Sequence, residues 1–130
     1  MRILIAEDDL TSRIVISKLL SIYGECDITV DGIQAIEAFV IGMDSGKPYD
    51  LICLDVIMPK VDGIKALRII RELEEKRKIE VSKRAKIIVT TALGETDYVM
   101  SAFKTDMEVY VSKPLGIDSM EKAMGKLGLI

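Results

Sequence analysis

Five times along this chain a short apolar run is followed by a stretch with helical spacing, and no other feature restricts the fold as much. Ile3-Leu4-Ile5-Ala6 is too short for a helix and rich in β-branched residues. Residues 11–23 then carry Ile14, Val15, Leu19 and Ile22 at helical spacing and stop at Gly24. Residues 26–30 read as a weaker strand at a sheet edge. Asp31-Gly32 turns the chain into a second helix with Ile33, Ile36, Ala38, Phe39 and Val40 on its apolar face, and residues 42–48 read as a loop. Leu51-Ile52-Cys53-Leu54 ends abruptly at Asp55. After Pro59 and Gly63, a charged helix is expected from about residue 64 to 77. Ile87-Ile88-Val89 is a buried strand ending at Thr90-Thr91. A short helix over residues 96–103, a strand at Val109-Tyr110-Val111 and an amphipathic helix over residues 117–127 complete the series.

Strands that are apolar on both faces and separated by helices belong in a parallel sheet covered on both sides. Right-handed crossovers make that sheet open and doubly wound, an α/β fold. Its ligand site lies beyond the carboxyl ends of the strands. With 130 residues, 49% of them hydrophobic and 30% charged, the chain has the size and balance of one globular domain. The net charge of -3 excludes a strong general attraction to nucleic acid. No apolar run reaches membrane-spanning length, and Met1-Arg2-Ile3-Leu4 is not the opening of a signal peptide. The expected location is cytoplasmic.

The strand ends therefore decide the function. Glu7-Asp8-Asp9 follow the first strand, Asp55 ends the third, Thr90-Thr91 the fourth and Ser112-Lys113-Pro114 the fifth. A single aspartate in such a place is more often a helix cap or a turn residue. Polar groups at four of five ends, on one edge, point instead to a common site. Clustered carboxylates repel one another and relax by taking up a proton or a cation, and Mg²⁺ (or Mn²⁺) suits an oxygen set. A lysine and a hydroxyl opposite that ion suit a phosphoryl group, and a carboxylate can itself be the nucleophile. The chain contains no histidine, which excludes Ser-His-Asp and Cys-His catalysis and histidine-ligated zinc. Its two cysteines, Cys26 and Cys53, lie in apolar stretches and read as reduced, partly buried thiols.

These residues resemble the receiver domain of two-component response regulators, the CheY-like family. The matching stretches are Ile3-Leu4-Ile5-Ala6-Glu7-Asp8, Asp55-Val56-Ile57-Met58-Pro59-Lys60-Val61-Asp62-Gly63, Thr91-Ala92 and Tyr110-Val111-Ser112-Lys113-Pro114. The resemblance implies a single flavodoxin-like (βα)5 domain over residues 1–130, strand order 2-1-3-4-5, standing alone without an output domain. It implies Asp55 as the phosphoacceptor and Glu7 and Asp8 as the acidic pair. Arg13 matches the basic residue that the family often carries six positions after the first acid. That match picks Glu7-Asp8 over the competing pair Asp8-Asp9 and leaves Asp9 as a surface or capping residue. The implied Mg²⁺ ligands are Asp8, Asp55 and the backbone carbonyl of Ile57, with Glu7 acting through water. Thr91 is the implied switch hydroxyl, Lys113 the phosphoryl-pairing lysine with a cis bond to Pro114, and Tyr110 the rotameric aromatic of the output face.

The implied function is that of a response regulator rather than an enzyme. A sensor histidine kinase or a histidine phosphotransfer protein would supply the phosphoryl group, since the chain has no histidine of its own. A protein target would bind the face made by the fourth helix, fifth strand and fifth helix, with the chain a monomer or weak dimer. Two other readings use the same fold: a binding module independent of phosphorylation, and a phosphate sink or relay shuttle. An aspartate-nucleophile phosphatase would need a second acid two residues after its nucleophile, where Ile57 stands.

Several positions depart from the family pattern. Asp106-Met107 replaces a frequent Gly-Ala pair, with Asp expected to tolerate a left-handed turn there. Ile57 and Leu93, at two positions that tune phosphoryl lifetime, are apolar and predict slow self-dephosphorylation. Residues 68–86 hold eight basic and four acidic residues, a local +4. They read as a solvated helix with spaced pairs Glu72–Lys76 and Glu74–Lys78 rather than as a docking patch. Residues 42–48 (Gly-Met-Asp-Ser-Gly-Lys-Pro) resemble a P-loop but lack its length, its hydroxyl and its preceding strand.

Overall fold

The computed structural model describes residues 1–92 and 96–130. The elements run β1 (Arg2–Ala6), α1 (Leu10–Leu20), β2 (Glu25–Thr29), α2 (Gly32–Asp44), β3 (Leu51–Asp55), α3 (Gly63–Lys76), β4 (Lys86–Thr91), α4 (Thr96–Met100), β5 (Glu108–Ser112) and α5 (Ile117–Lys126). A 3-10 turn at Val81–Lys83 precedes β4. The five strands are all parallel, in the order β2-β1-β3-β4-β5. The α/β reading and the strand order therefore hold, with β2 at one edge.

The pleat sends alternate residues to opposite sides, so the sheet carries two cores. Leu4, Ile52, Leu54, Ile87 and Val89 pack under α2 and α3, against Phe39, Ile64, Leu67 and Ile70. Ile3, Ile5, Leu51, Cys53 and Ile88 pack under α1 and α5, against Ile16, Leu20, Met120 and Met124. Burying each such large side chain stabilises the fold by about 1.5–3 kcal/mol.

Two helical faces differ from the sequence expectation. Helix α1 buries Ile16 and Leu20 and leaves Ile14 and Val15 exposed, and it ends at Leu20, so that exposed Ile22 falls in the turn beyond it; α2 buries Ala35 and Phe39 and exposes Ile33. Both helices carry more apolar residues than one stripe needs, and the docking angle against the sheet chooses between competing stripes. The expected loop at residues 42–48 begins later, because α2 continues through Gly42 to Asp44. A Cβ on Gly42 would lie 3.0 Å from the Lys47 carbonyl and 3.3 Å from the Tyr49 ring. This glycine is a packing contact inside the helix rather than its stop.

The solvated reading of residues 68–86 also fails in part. Glu74 does not pair with Lys78, and Glu72–Lys76 forms no ion pair among the described residues. Lys78 has left the helix at φ +56, and Glu74 is buried, 2.6 Å from Arg71. Arg71 Nη1 also donates to the Ala85 carbonyl at 2.8 Å. Its Nη2 reaches Glu108 at 3.2 Å and the Met107 carbonyl at 3.4 Å. Glu74 in turn accepts from Ala85 N at 2.9 Å. Glu108 accepts from Lys104 N at 3.0 Å, Thr105 N at 3.3 Å and the Thr105 hydroxyl. One arginine thus ties α3 to the starts of β4 and β5. The same contacts shape the turn at Asp106-Met107. Asp106 is not left-handed there; among the described non-glycine residues only Lys60 and Lys78 are.

Candidate functional site

At the opposite edge of the sheet, the carboxyl ends of β1, β3 and β5 deliver acidic and basic groups to one place. The chain leaves β1 with Glu7 fully buried and its N–H bonded to the Thr29 carbonyl at 3.1 Å. Asp8 is exposed. Asp9 accepts from Ser12 N at 2.8 Å and caps α1, which gives the third acid of the row a local task. Arg13 Nη1 donates to the Glu7 carbonyl at 3.2 Å and helps fix that turn. Asp55, the last residue of β3, is 6% exposed.

The loop after Asp55 is held by backbone. Val56 N donates to Thr90 O at 3.0 Å and Gly63 N donates to Val56 O at 2.9 Å. Asp62 caps α3, accepting from Ile64 N and Lys65 N, each at 2.9 Å. A Cβ on Gly63 would sit 2.1 Å from the Asp55 carbonyl, so only glycine lets α3 start this close to the acid. Tyr98 of α4 donates to the same Asp62 carboxylate at 3.0 Å, a contact that the sequence pattern did not signal.

Lys113, just past β5, closes the group. Its Nζ lies 2.9 Å from Glu7 Oε1 and 3.2 Å from Asp55 Oδ1. Its backbone N–H donates to Thr91 O at 2.8 Å, and the Lys113–Pro114 bond is cis. Carboxylate oxygens of Glu7, Asp8 and Asp55 lie within 4.8 Å of one another. Burial pushes the Asp55 carboxyl up to about 7, helped by its hydrogen bond to Glu7 and by that residue's charge, and opposed by Lys113. Burial works against the Lys113 ammonium, but Glu7 and Asp55 hold its pKa above the ordinary lysine value. Three carboxylates against one ammonium leave the cluster short of positive charge. An all-oxygen set of this kind fits a hard divalent cation.

Other predicted positions surround this group. Thr91 is fully buried and its hydroxyl donates to the Ala92 carbonyl at 3.1 Å. Ile57 is 63% exposed beside Asp55. Leu93 lies outside the described residues. Tyr110 is partly exposed and lines a cavity of about 500 Å³ between α4, β5 and α5, with Phe103 and Lys122. Cys26 and Cys53 are both free, the second fully buried below Asp55. Among the described residues no helix is long and apolar enough to cross a membrane.

The sequence model of the response regulator receiver domain matches residues 3–125. The chain belongs to this family. It is 33% identical over 116 residues to the chemotaxis protein CheY of Treponema pallidum, covering 88% of this chain and 73% of that protein. It is 32% identical over 128 residues to hybrid signal transduction histidine kinase L of Dictyostelium discoideum. That match takes in 98% of this chain but 7% of the kinase, so the chain spans a small part of that relative's length. Among solved structures, the Saccharomyces cerevisiae complex of the phosphotransfer protein Ypd1 with the receiver domain of Ssk1 matches with a TM-score of 0.74. There the identity is 20%, covering 94% of this chain and 84% of that one, and the likeness is one of fold. Receiver domains are regulatory phosphoacceptors that bind Mg²⁺ at an acidic pocket, and in this chain Glu7, Asp8 and Asp55 form an acidic group that could hold a metal ion.

Proposed function

We propose that this receiver takes a phosphoryl group onto Asp55 from a phosphohistidine of a sensor histidine kinase or a histidine phosphotransfer protein, and signals through the α4-β5-α5 face. The observation that carries the reading is Lys113 bridging Glu7 and Asp55 at an open strand edge. An Asp55 oxygen attacks phosphorus, the phosphorus–nitrogen bond breaks, and its electron pair stays on the donor imidazole. Asp8, Asp55 and the Ile57 carbonyl would hold Mg²⁺, with Glu7 acting through water, and the ion would supply positive charge against the phosphoryl oxygens. Lys113 releases its hold on Asp55 and balances the remaining negative charge. Thr91 exchanges its bond to the Ala92 carbonyl for one to a phosphoryl oxygen, and Tyr110 turns into the space vacated. Exposed Leu10, Ile14, Val15 and Ile57 offer the donor protein an apolar rim around the site. Ile57 has no group to orient an attacking water, so the phosphoryl group is long-lived.

Intact mass after incubation with acetyl phosphate, with and without Mg²⁺, tests the assignment. The expected result is one phosphoryl adduct that needs the ion and disappears in Asp55→Asn. No adduct would sink the reading and leave a phosphorylation-independent binding module. A phosphoryl half-life of seconds at neutral pH would contradict the role given to Ile57.

A further inference from the structure

Two buried side-chain polar atoms among the described residues have no hydrogen-bond partner: Arg71 Nε and Thr90 Oγ1. The first belongs to a guanidinium whose other nitrogens are engaged. The second is the whole hydrogen-bonding capacity of its side chain, in a residue that is fully buried. A buried hydroxyl left unpaired destabilises the fold, and a valine of nearly the same shape would avoid that cost.

Register places this residue at the site. Cys53 of β3 pairs with Ile88 of β4, and both pack in the core under α1 and α5. Two residues further along each strand, Asp55 pairs with Thr90 and Thr90 with Val111, on that same face. Lys113 follows Val111 by two. Thr90 is therefore the lateral neighbour of Asp55, about 4.8 Å away across the ladder. Asp55 leans toward Lys113 at 3.2 Å, and Thr90, whose hydroxyl has no hydrogen-bond partner, is its register neighbour on β4.

We propose that Thr90 is a positioning residue for the Asp55 carboxylate and shortens the lifetime of its phosphoryl group; this rests on Asp55 being the acceptor. Phosphorylation takes one Asp55 oxygen into a P–O bond and leaves the other as a carbonyl oxygen beside the Thr90 O–H. In hydrolysis a water oxygen bonds to phosphorus and the Asp55 O–P bond breaks. The electron pair returns to the carboxylate, and the water's protons go to phosphate and solvent. Charge then grows on both Asp55 oxygens, so a donor to the second one strengthens as the bond breaks and favours the leaving carboxylate. The Thr90 hydroxyl thus opposes the slow hydrolysis that the apolar Ile57 side chain implies.

The test compares phosphoryl half-lives of wild type, Thr90→Val and Thr90→Ser, each loaded with acetyl phosphate and Mg²⁺ and followed by intact mass. Thr90→Val is expected to lengthen the half-life about threefold to tenfold, with a urea midpoint at or above wild type. Thr90→Ser, which keeps the hydroxyl, is expected to decay at the wild-type rate. An unchanged or shortened half-life in Thr90→Val overturns the inference. So does a Thr90→Ser half-life as long as that of Thr90→Val, since the hydroxyl would then not be responsible. A wild type that takes no adduct fails the acceptor assignment itself, a different outcome, and the inference falls with it.

Discussion

Two clusters in this molecule are built from nearly the same parts and are opposite in character. At the amino ends of β4 and β5, Arg71 meets buried Glu74 and Glu108. At the carboxyl ends of β1, β3 and β5, Lys113 meets buried Glu7 and Asp55. In the first cluster both carboxylates are well supplied with donors. They accept from Ala85 N, Lys104 N, Thr105 N and the Thr105 hydroxyl as well as from the guanidinium. In the second cluster the backbone supplies much less. Asp9 N approaches Glu7 Oε2 at 3.3 Å, and exposed Asp8 adds a further acid. The difference teaches that buried charge alone does not mark a functional site. What marks it is charge that the protein leaves uncompensated, at an edge that solvent and a partner can reach.

The contrast can be broken most forcefully at Arg71. Arg71→Ala strands two buried carboxylates and is expected to lower unfolding stability by about 3–5 kcal/mol in urea titration. A loss below about 1 kcal/mol would mean that the brace is decorative. Next in size is a pH effect confined to the other cluster. With metal chelated, the folded protein holds a proton on Asp55 up to about 7, whereas an unfolded aspartate releases it near 4. The Asp55 contribution to stability is therefore fully present below about pH 4 and is lost as pH rises through 7. Asp55→Asn should flatten that profile and be the more stable protein at pH 8, by on the order of 1–3 kcal/mol. A wild-type profile that rises from pH 5 to 8 would reverse the sign assigned to Asp55.

Lys113→Ala should cost less than Arg71→Ala, about 1–2 kcal/mol, because the Lys113 side chain is 27% exposed and the remaining acids can share a proton. Equal losses in the two variants would erase the distinction between a closed and an open cluster. Smallest is Asp9→Ala. Loss of the α1 cap should lower stability by about 1 kcal/mol and leave Mg²⁺-dependent phosphorylation by acetyl phosphate intact. Loss of the adduct would instead move the acidic pair to Asp8-Asp9.

The open cluster was legible in the sequence and the closed one was not, for a physical reason. Asp55 and Lys113 each follow an apolar run that ends abruptly, and a parallel sheet brings all such ends to one edge. Arg71 and Glu74 stand in a helix dense with charge, where an inward-turned pair looks like its solvent-facing neighbours. Their partner Glu108 lies 37 residues from Arg71 along the chain, and no periodicity links the two. Stripe selection on α1 was hidden for a similar reason: Ile14 and Val15 compete with Ile16 and Leu20, and only docking on the sheet decides. Thr90 and Thr91 were visible as a pair, but their difference depends on the pairing of Asp55 with Thr90.

Cys53 lies one pleat beneath Asp55, fully enclosed, its thiol pushed up to about 12 chiefly by burial. In the intact fold it is therefore a poor target for alkylating reagents, which need a thiolate within reach. It becomes one only when the floor of the acidic pocket opens. The labelling rate of this native cysteine, read against that of half-buried Cys26, thus reports how often that floor breathes and whether metal or a phosphoryl group holds it shut.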